Sequence, residues 1–166
     1  FPTVTHVEWN HKKLNIIDCP GSDDFVGGVV TSLNVTGQAV ILINGQYGPE
    51  VGTQNNFRYT EKLKKPVIFL VNQLDSDKCD FDAIITSMQE IYGKKCVPVQ
   101  YPLQTGLEFH ALIDVLVMKK YSWKAEGGTP IIEDIPSEEM PKALAWHKAL
   151  VEASAEHDEV LMEKFF

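Results

Sequence analysis

Ala39-Val40-Ile41-Leu42-Ile43 decides the fold. The run is wholly apolar and has no polar face, which suits a parallel strand buried on both sides. Val67-Ile68-Phe69-Leu70-Val71 is a second run of the same kind. Between them, Gly52 to Lys64 reads as a polar helix. Beyond them, Phe81, Ile84, Ile85, Met88, Ile91 and Tyr92 form a helical stripe that Gly93 stops. Val97 to Tyr101 reads as a third short strand. Strand, helix, strand, helix, strand predicts an α/β fold with a mostly parallel sheet wrapped by helices.

Upstream of the first run, Val4 to Trp9 and Lys13 to Ile17 read as two strands joined by a turn at Asn10-His11, a hairpin. Phe25, Val29, Val30 and Leu33 then recur at helical spacing, closed by Gly37. From about Pro102 the texture changes. Gly106 to Tyr121 suggests a hairpin or an irregular strand pair, and Gly127-Gly128-Thr129-Pro130 breaks the chain. Ser137 reads as the cap of a helix start, and Pro141 to Phe165 as a long amphipathic helix. The expected organisation is a sheet domain over 1–101 and an α+β appendage over 102–166.

The chain has 166 residues, 44% hydrophobic and 23% charged, with a net charge of −8. That is enough for one globular domain with a core. An acidic chain repels phosphate backbones overall, so a basic DNA- or RNA-binding module is excluded and no DNA partner is expected. No apolar run approaches the roughly 18 residues of a membrane span, so no membrane partner is expected. Cys19, Cys79 and Cys96 are odd in number and form no C-x-x-C pair, which fits a reducing, cytoplasmic compartment rather than a disulfide framework or zinc site. His6, His11, His110, His147 and His157 show no metal-ligand spacing, so packing or surface roles are expected for them. Trp9, Trp123 and Trp146 are read as packing residues. The chain opens on Phe1-Pro2 without an initiator Met and is expected to be part of a longer polypeptide.

In open parallel sheets, ligands sit at the carboxyl ends of the strands. Two loops there carry chemistry. Asp18-Cys19-Pro20-Gly21 follows the strand that ends at Ile17, and Asn72-Gln73-Leu74-Asp75 follows the one that ends at Val71. A carboxylate at Asp18 can hold a water on hydrated Mg²⁺, an ion that takes few protein ligands. Gly21 lets the backbone approach a phosphate and donate its N–H. Asp75 can accept two hydrogen bonds from the N1–H and N2–H₂ edge of guanine, a donor pair that adenine lacks. Asn72 can fix the neighbouring backbone. Each motif alone is weak: D-x-x-G recurs at Asp24-Phe25-Val26-Gly27. An ordinary strand-ending turn and a helix-capping loop are the alternatives. The pair, in this order and each after an apolar strand, favours the nucleotide reading.

The stretch Asn15-Ile16-Ile17-Asp18-Cys19-Pro20-Gly21-Ser22-Asp23-Asp24-Phe25 resembles the switch II segment of elongation factor G, usually I-D-T-P-G-H-x-D-F. Pro98-Val99-Gln100-Tyr101-Pro102-Leu103 resembles the family's P-V-Q-x-P-I. Ile135-Pro136, Trp146-His147, Ala155-Glu156 and Leu161-Met162-Glu163-Lys164-Phe165 resemble the segment ending in its L-M-E-K-Y. The resemblance implies a P-loop NTPase-type fold with a small insertion subdomain, in a translational GTPase. It implies GTP or GDP and Mg²⁺ as cofactors of the longer protein, and movement of tRNA and mRNA as its activity. The implied partner is the ribosome, at the large-subunit stalk and factor-binding region, with the protein a monomer. It assigns Gly21, Asn72, Gln73 and Asp75 to the nucleotide and Asp18 to Mg²⁺ through water.

The family pattern also fails in places. No G-x-x-x-x-G-K-[ST] occurs in these residues, so the chain is expected to begin after its phosphate-binding loop. Ser22 stands where the family has a catalytic His, which positions the attacking water. Gln73 replaces the Lys of N-K-x-D. Ser22 and Gln73 together imply slow or absent hydrolysis. The alternatives are a ribosome-protection or release-type paralogue, a non-hydrolysing factor that acts by occupying the ribosome, and a doubly wound protein that is no GTPase.

Overall fold

In a computed structural model, the structure describes residues 1–124 and 127–156. They form two compact units. The first comprises Phe1–Asn44 and Pro49–Asn72, and the second Gly45–Gly48 together with the residues from Gln73 onward.

In the first unit, β1 (Thr3–Trp9) and β2 (Lys12–Asp18) form an antiparallel hairpin. Its two-residue turn has Asn10 at φ 48° and His11 at φ 59°. Two left-handed residues are what a tight hairpin of right-twisted strands requires, and Asn tolerates that region. A helix, α1 (Val26–Val35), follows a 3-10 turn over Asp23–Phe25. Gly28 is needed in α1 because a Cβ there would lie 2.9 Å from Pro2 Cγ.

The two apolar runs become β3 (Ala39–Asn44) and β4 (Val67–Asn72), paired in parallel from Ala39↔Val67 to Asn44↔Asn72. Between them lies α2 (Val51–Lys62). Its start is held by a capping box: the Glu50 side chain accepts from the Thr53 N–H, and Thr53 Oγ1 accepts from the Glu50 N–H. Its end is a Schellman motif, with Lys65 N–H donating to Thr60 O and Lys64 N–H to Glu61 O. Lys64 occupies the left-handed position at φ 52°. Phe57 of α2 stacks on Phe69 of β4 with centroids 5.7 Å apart, on the sheet face where Ile41 and Ile43 are buried.

The expected burial on both faces is half met. Val40, Leu42, Ile68 and Leu70 share the other face and are exposed, because no described residue covers them.

The second unit holds α3 (Phe81–Tyr92), β5 (Gln100–Pro102), β6 (Ala111–Asp114), β7 (Lys119–Ser122), β8 (Ile131–Glu133) and α4 (Met140–Ala155). Asp80 caps α3 by accepting from Ala83 N–H, and Gly93 ends it at φ 90°. The strand expected at Val97–Tyr101 is β5. It belongs to an antiparallel sheet of order β5-β6-β7-β8 rather than extending the parallel pair. Ser137 does not cap α4. Its Oγ turns to Glu138, and the helix starts at Met140 with Pro141 in its first turn, where a fixed φ and a missing N–H cost little. The part of the expected helix over 157–165 lies outside the described residues.

Tyr101, Ile113, Val115, Ile135 and Ala143 make the core here, flanked by Phe81, Met140 and Trp146. Asp114 locks the β6–β7 turn: Oδ1 accepts from the N–H of Leu116 and Val117, and Oδ2 from Gln100 Nε2. Tyr101 Oη donates to Glu139 Oε2 at 3.2 Å, and Lys142 Nζ lies 5.1 Å above its ring while pairing with Asp82. Burial, then the Glu139 charge and hydrogen bond, push the Tyr101 phenol well above its ordinary range. Trp146 packs as expected. Trp9 does not: it is 69% exposed near the hairpin turn.

Candidate nucleotide site

Asp18 is the last residue of β2, opposite Thr3 of β1, and its side chain is exposed. The strand ends because Pro20 cannot donate to a ladder. The chain then turns through Gly21 and Ser22, with Phe25 N–H donating to Ser22 O at 2.9 Å, and enters α1. A Cβ built on Gly21 would meet nothing within 4 Å, so no neighbour among the described residues requires glycine there.

Gly21 and Ser22 line a cleft of about 270 Å³ with Pro20, with Val26 and Val29 of α1, and with Asn55, Asn56 and Tyr59 of α2. Asp18 is not among its lining residues. The asparagines were missed in sequence because α2 carries no motif beyond its polar texture.

Asn72 is the last residue of β4, exposed and in register with Asn44 at the carboxyl end of β3. The residues that follow belong to the second unit. Gln73 adopts φ 61°, a left-handed conformation uncommon outside glycine, and its carbonyl accepts from Ser76 N–H at 3.1 Å. Leu74 O accepts from Gly106 N–H at 2.8 Å, and Thr105 Oγ1 donates to Cys79 O at 3.0 Å. Gly106 sits at φ 81°, a left-handed conformation that side chains rarely adopt, so glycine suits this turn by its backbone rather than by lack of space. The loop backbone is therefore held in place while the Gln73 and Asp75 side chains stay exposed. Among the described residues, no group of three or more His, Cys, Asp or Glu is placed to hold a metal ion. No helix among them is long and apolar enough to cross a membrane.

A parallel strand pair with helices defines the class: a mixed α/β fold. Residues 2–160 match the family described as the elongation factor Tu GTP binding domain, and the chain belongs to that family. Over 163 residues it is 28% identical to a protein of Thermotoga maritima called "Elongation factor G-like protein", covering 98% of this chain and 23% of that one. A crystal structure from Thermus thermophilus superposes with a TM-score of 0.89 at 27% identity, covering 99% of this chain and 24% of that one. The chain thus spans about a quarter of the length of these relatives. Membership places it among translational GTPases and implies guanine nucleotide binding by the family domain.

Proposed function

We propose that this chain supplies the guanine-reading and magnesium-positioning part of a ribosome-associated, cytoplasmic translation factor of elongation factor G type. Hydrolysis in that protein is slow or absent. The observation that carries this reading is Ser22, at the start of the turn into α1, where the family pattern has a catalytic His. A hydroxyl is shorter than an imidazole and stays neutral, so it cannot stabilise developing charge in the same way.

The residues present fit part of the ligand. Asp18 is an exposed carboxylate at a strand end, suited to hold a water of hydrated Mg²⁺. Gly21 leaves room for a phosphate to meet its N–H. Asp75 offers two acceptor oxygens to the guanine edge, and Asn72 can brace the loop. Gln73 replaces a cation with a neutral, shorter stem. The phosphate-loop Lys is not among these residues. The protein carrying this domain would contact the large-subunit stalk and factor-binding region as a monomer and promote movement of tRNA and mRNA.

Ser22 also favours a second reading, a factor that acts by occupying the ribosome without hydrolysis. Single-turnover GTP hydrolysis by Ser22→His in the protein carrying this domain separates them. A regained rate with faster translocation supports a translocating factor. A regained rate without translocation supports the occupancy reading. An unchanged rate removes Ser22 as the cause.

A further inference from the structure

Trp9 ends β1 with its ring 69% exposed, a large apolar surface left in water. Its register partner is Lys12, the first residue of β2, so the indole and the lysine stem lie side by side on one face of the hairpin. Val7 and Leu14, the next pair on that face, are also exposed and extend the apolar floor. Lys13 follows on the opposite face, in register with Glu8. Together with the Asn10-His11 turn, Glu8, Trp9, Lys12 and Lys13 line a shallow, open cleft. Neither lysine makes an ion pair among the described residues.

Residues 1–17 hold one carboxylate, Glu8, against Lys12 and Lys13, although the whole chain carries a net charge of −8. That net charge excludes a free-standing basic module but does not decide a local contact. At physiological salt, charges are screened over about 8 Å, so the hairpin tip presents its own positive sign. An exposed aromatic ring beside unpaired cations is the chemistry that holds an unpaired nucleotide: the base stacks on the ring and the cations meet its phosphates. An acidic peptide would use the lysines and leave the indole idle. Consecutive Cα atoms lie about 3.8 Å apart, and each lysine has a four-carbon stem, so the two ammonium groups can meet successive phosphates from either side of the strand.

We propose that the tip of the β1–β2 hairpin binds an unpaired nucleotide of an RNA strand, with the base on Trp9 and the phosphates at Lys12 and Lys13. RNA as the source rests on the ribosomal association proposed above. The contact itself rests on the hairpin alone and is independent of Ser22 and of the loops after β2 and β4.

Fluorescein-labelled hexauridylate is the probe, titrated with the 166-residue chain and followed by anisotropy, while NMR follows the Trp9 indole N–H. The expected result is a shift of that indole signal and saturable binding, with a dissociation constant on the order of 0.1 mM at low salt, the weak end of non-specific nucleic-acid binding. The logarithm of the affinity falls against the logarithm of salt with a slope of about −1.4, as for two phosphate contacts on a single strand. Trp9→Ala weakens binding about tenfold. Lys12→Gln together with Lys13→Gln brings the salt slope close to zero. Glu8→Gln removes the carboxylate beside Lys13 and tightens binding about twofold, a gain that loss of folding cannot produce. Affinity unchanged by Trp9→Ala, or a salt slope unchanged by the lysine substitutions, overturns the site. Capped hexaglutamate competing as well as unlabelled hexauridylate overturns the nucleotide assignment, and tighter binding of hexadeoxythymidylate overturns the choice of RNA. No hexauridylate binding, with the protein carrying this domain still sedimenting with ribosomes, overturns the contact and leaves the ribosomal reading standing.

Discussion

Asn44 and Asn72 lie opposite each other as the last register partners of β3 and β4. The parallel pair therefore ends in two carboxamides side by side, at the end of the sheet where nucleotide loops belong. The backbone beyond Asn72 turns at Gln73 into the left-handed region. That turn separates the role proposed for Asn72, bracing the loop, from that of Asp75, reading the base.

Asp75→Ala removes the acceptor pair proposed for guanine. In the protein carrying this domain, GDP affinity should fall about 100-fold or more, since two charge-assisted hydrogen bonds are lost. Competition by ADP should change little. Equal loss for GDP and ADP would mean that Asp75 supports the loop rather than the base. The 166-residue chain alone, without the phosphate-loop Lys, should bind GTP no tighter than micromolar by calorimetry.

Lys64 holds the left-handed position of the Schellman motif after α2 at φ 52°. A Cβ is disfavoured there by about 1–2 kcal/mol, partly offset by the larger unfolded-state entropy of glycine. Lys64→Gly should therefore stabilise the chain by about 0.5–1 kcal/mol, read as a higher urea midpoint at unchanged slope. A lower midpoint would place the main role of Lys64 in its side chain.

Tyr101 links pH to stability. Its phenol is raised above the ordinary 10.0 in the folded chain, first by burial and then by Glu139. The folded state thus keeps the proton longer than the unfolded state does. The stability contributed is complete below the unfolded value of about 10 and is lost as pH rises above it. Tyr101→Phe should cost about 1–2 kcal/mol near neutral pH, through the lost hydrogen bond to Glu139. It should also flatten the decline in urea midpoint as pH rises above about 10. A decline as steep as in the unsubstituted chain would assign the pH effect to other groups.

Much of this was legible in sequence, for local reasons. The hairpin announced itself through Asn10, one of few residues at ease in a left-handed turn. The parallel pair announced itself through two strand-length apolar runs around a helix. Gln100–Pro102 shows the limit: periodicity identifies a strand but not its partner, and pairing with β6 rather than β4 is decided by tertiary packing. Ser137 was a plausible cap, but Pro141 moved the helix start downstream. Exposure at Trp9, Val40 and Leu42 was not legible, because apolar residues signal burial whether or not the covering layer is among the described residues. Of the candidate site, Asp18, Gly21, Asn72 and Asp75 are proposed from motif alone, and the structure puts Asp18 and Asn72 at strand ends with Gly21 and Asp75 in the loops that follow. Asn55, Asn56 and Tyr59 meet Gly21 and Ser22 only through the packing of α1 near α2.

The proposed function turns on Ser22. The most direct measurement is single-turnover GTP hydrolysis on ribosomes by the protein carrying this domain, with Ser22 and with Ser22→His. The expected result is slow hydrolysis with Ser22 and an increase of at least about tenfold with His, within the range for a positioned proton-handling side chain. A rate with Ser22 in place that matches an ordinary elongation factor G would contradict it.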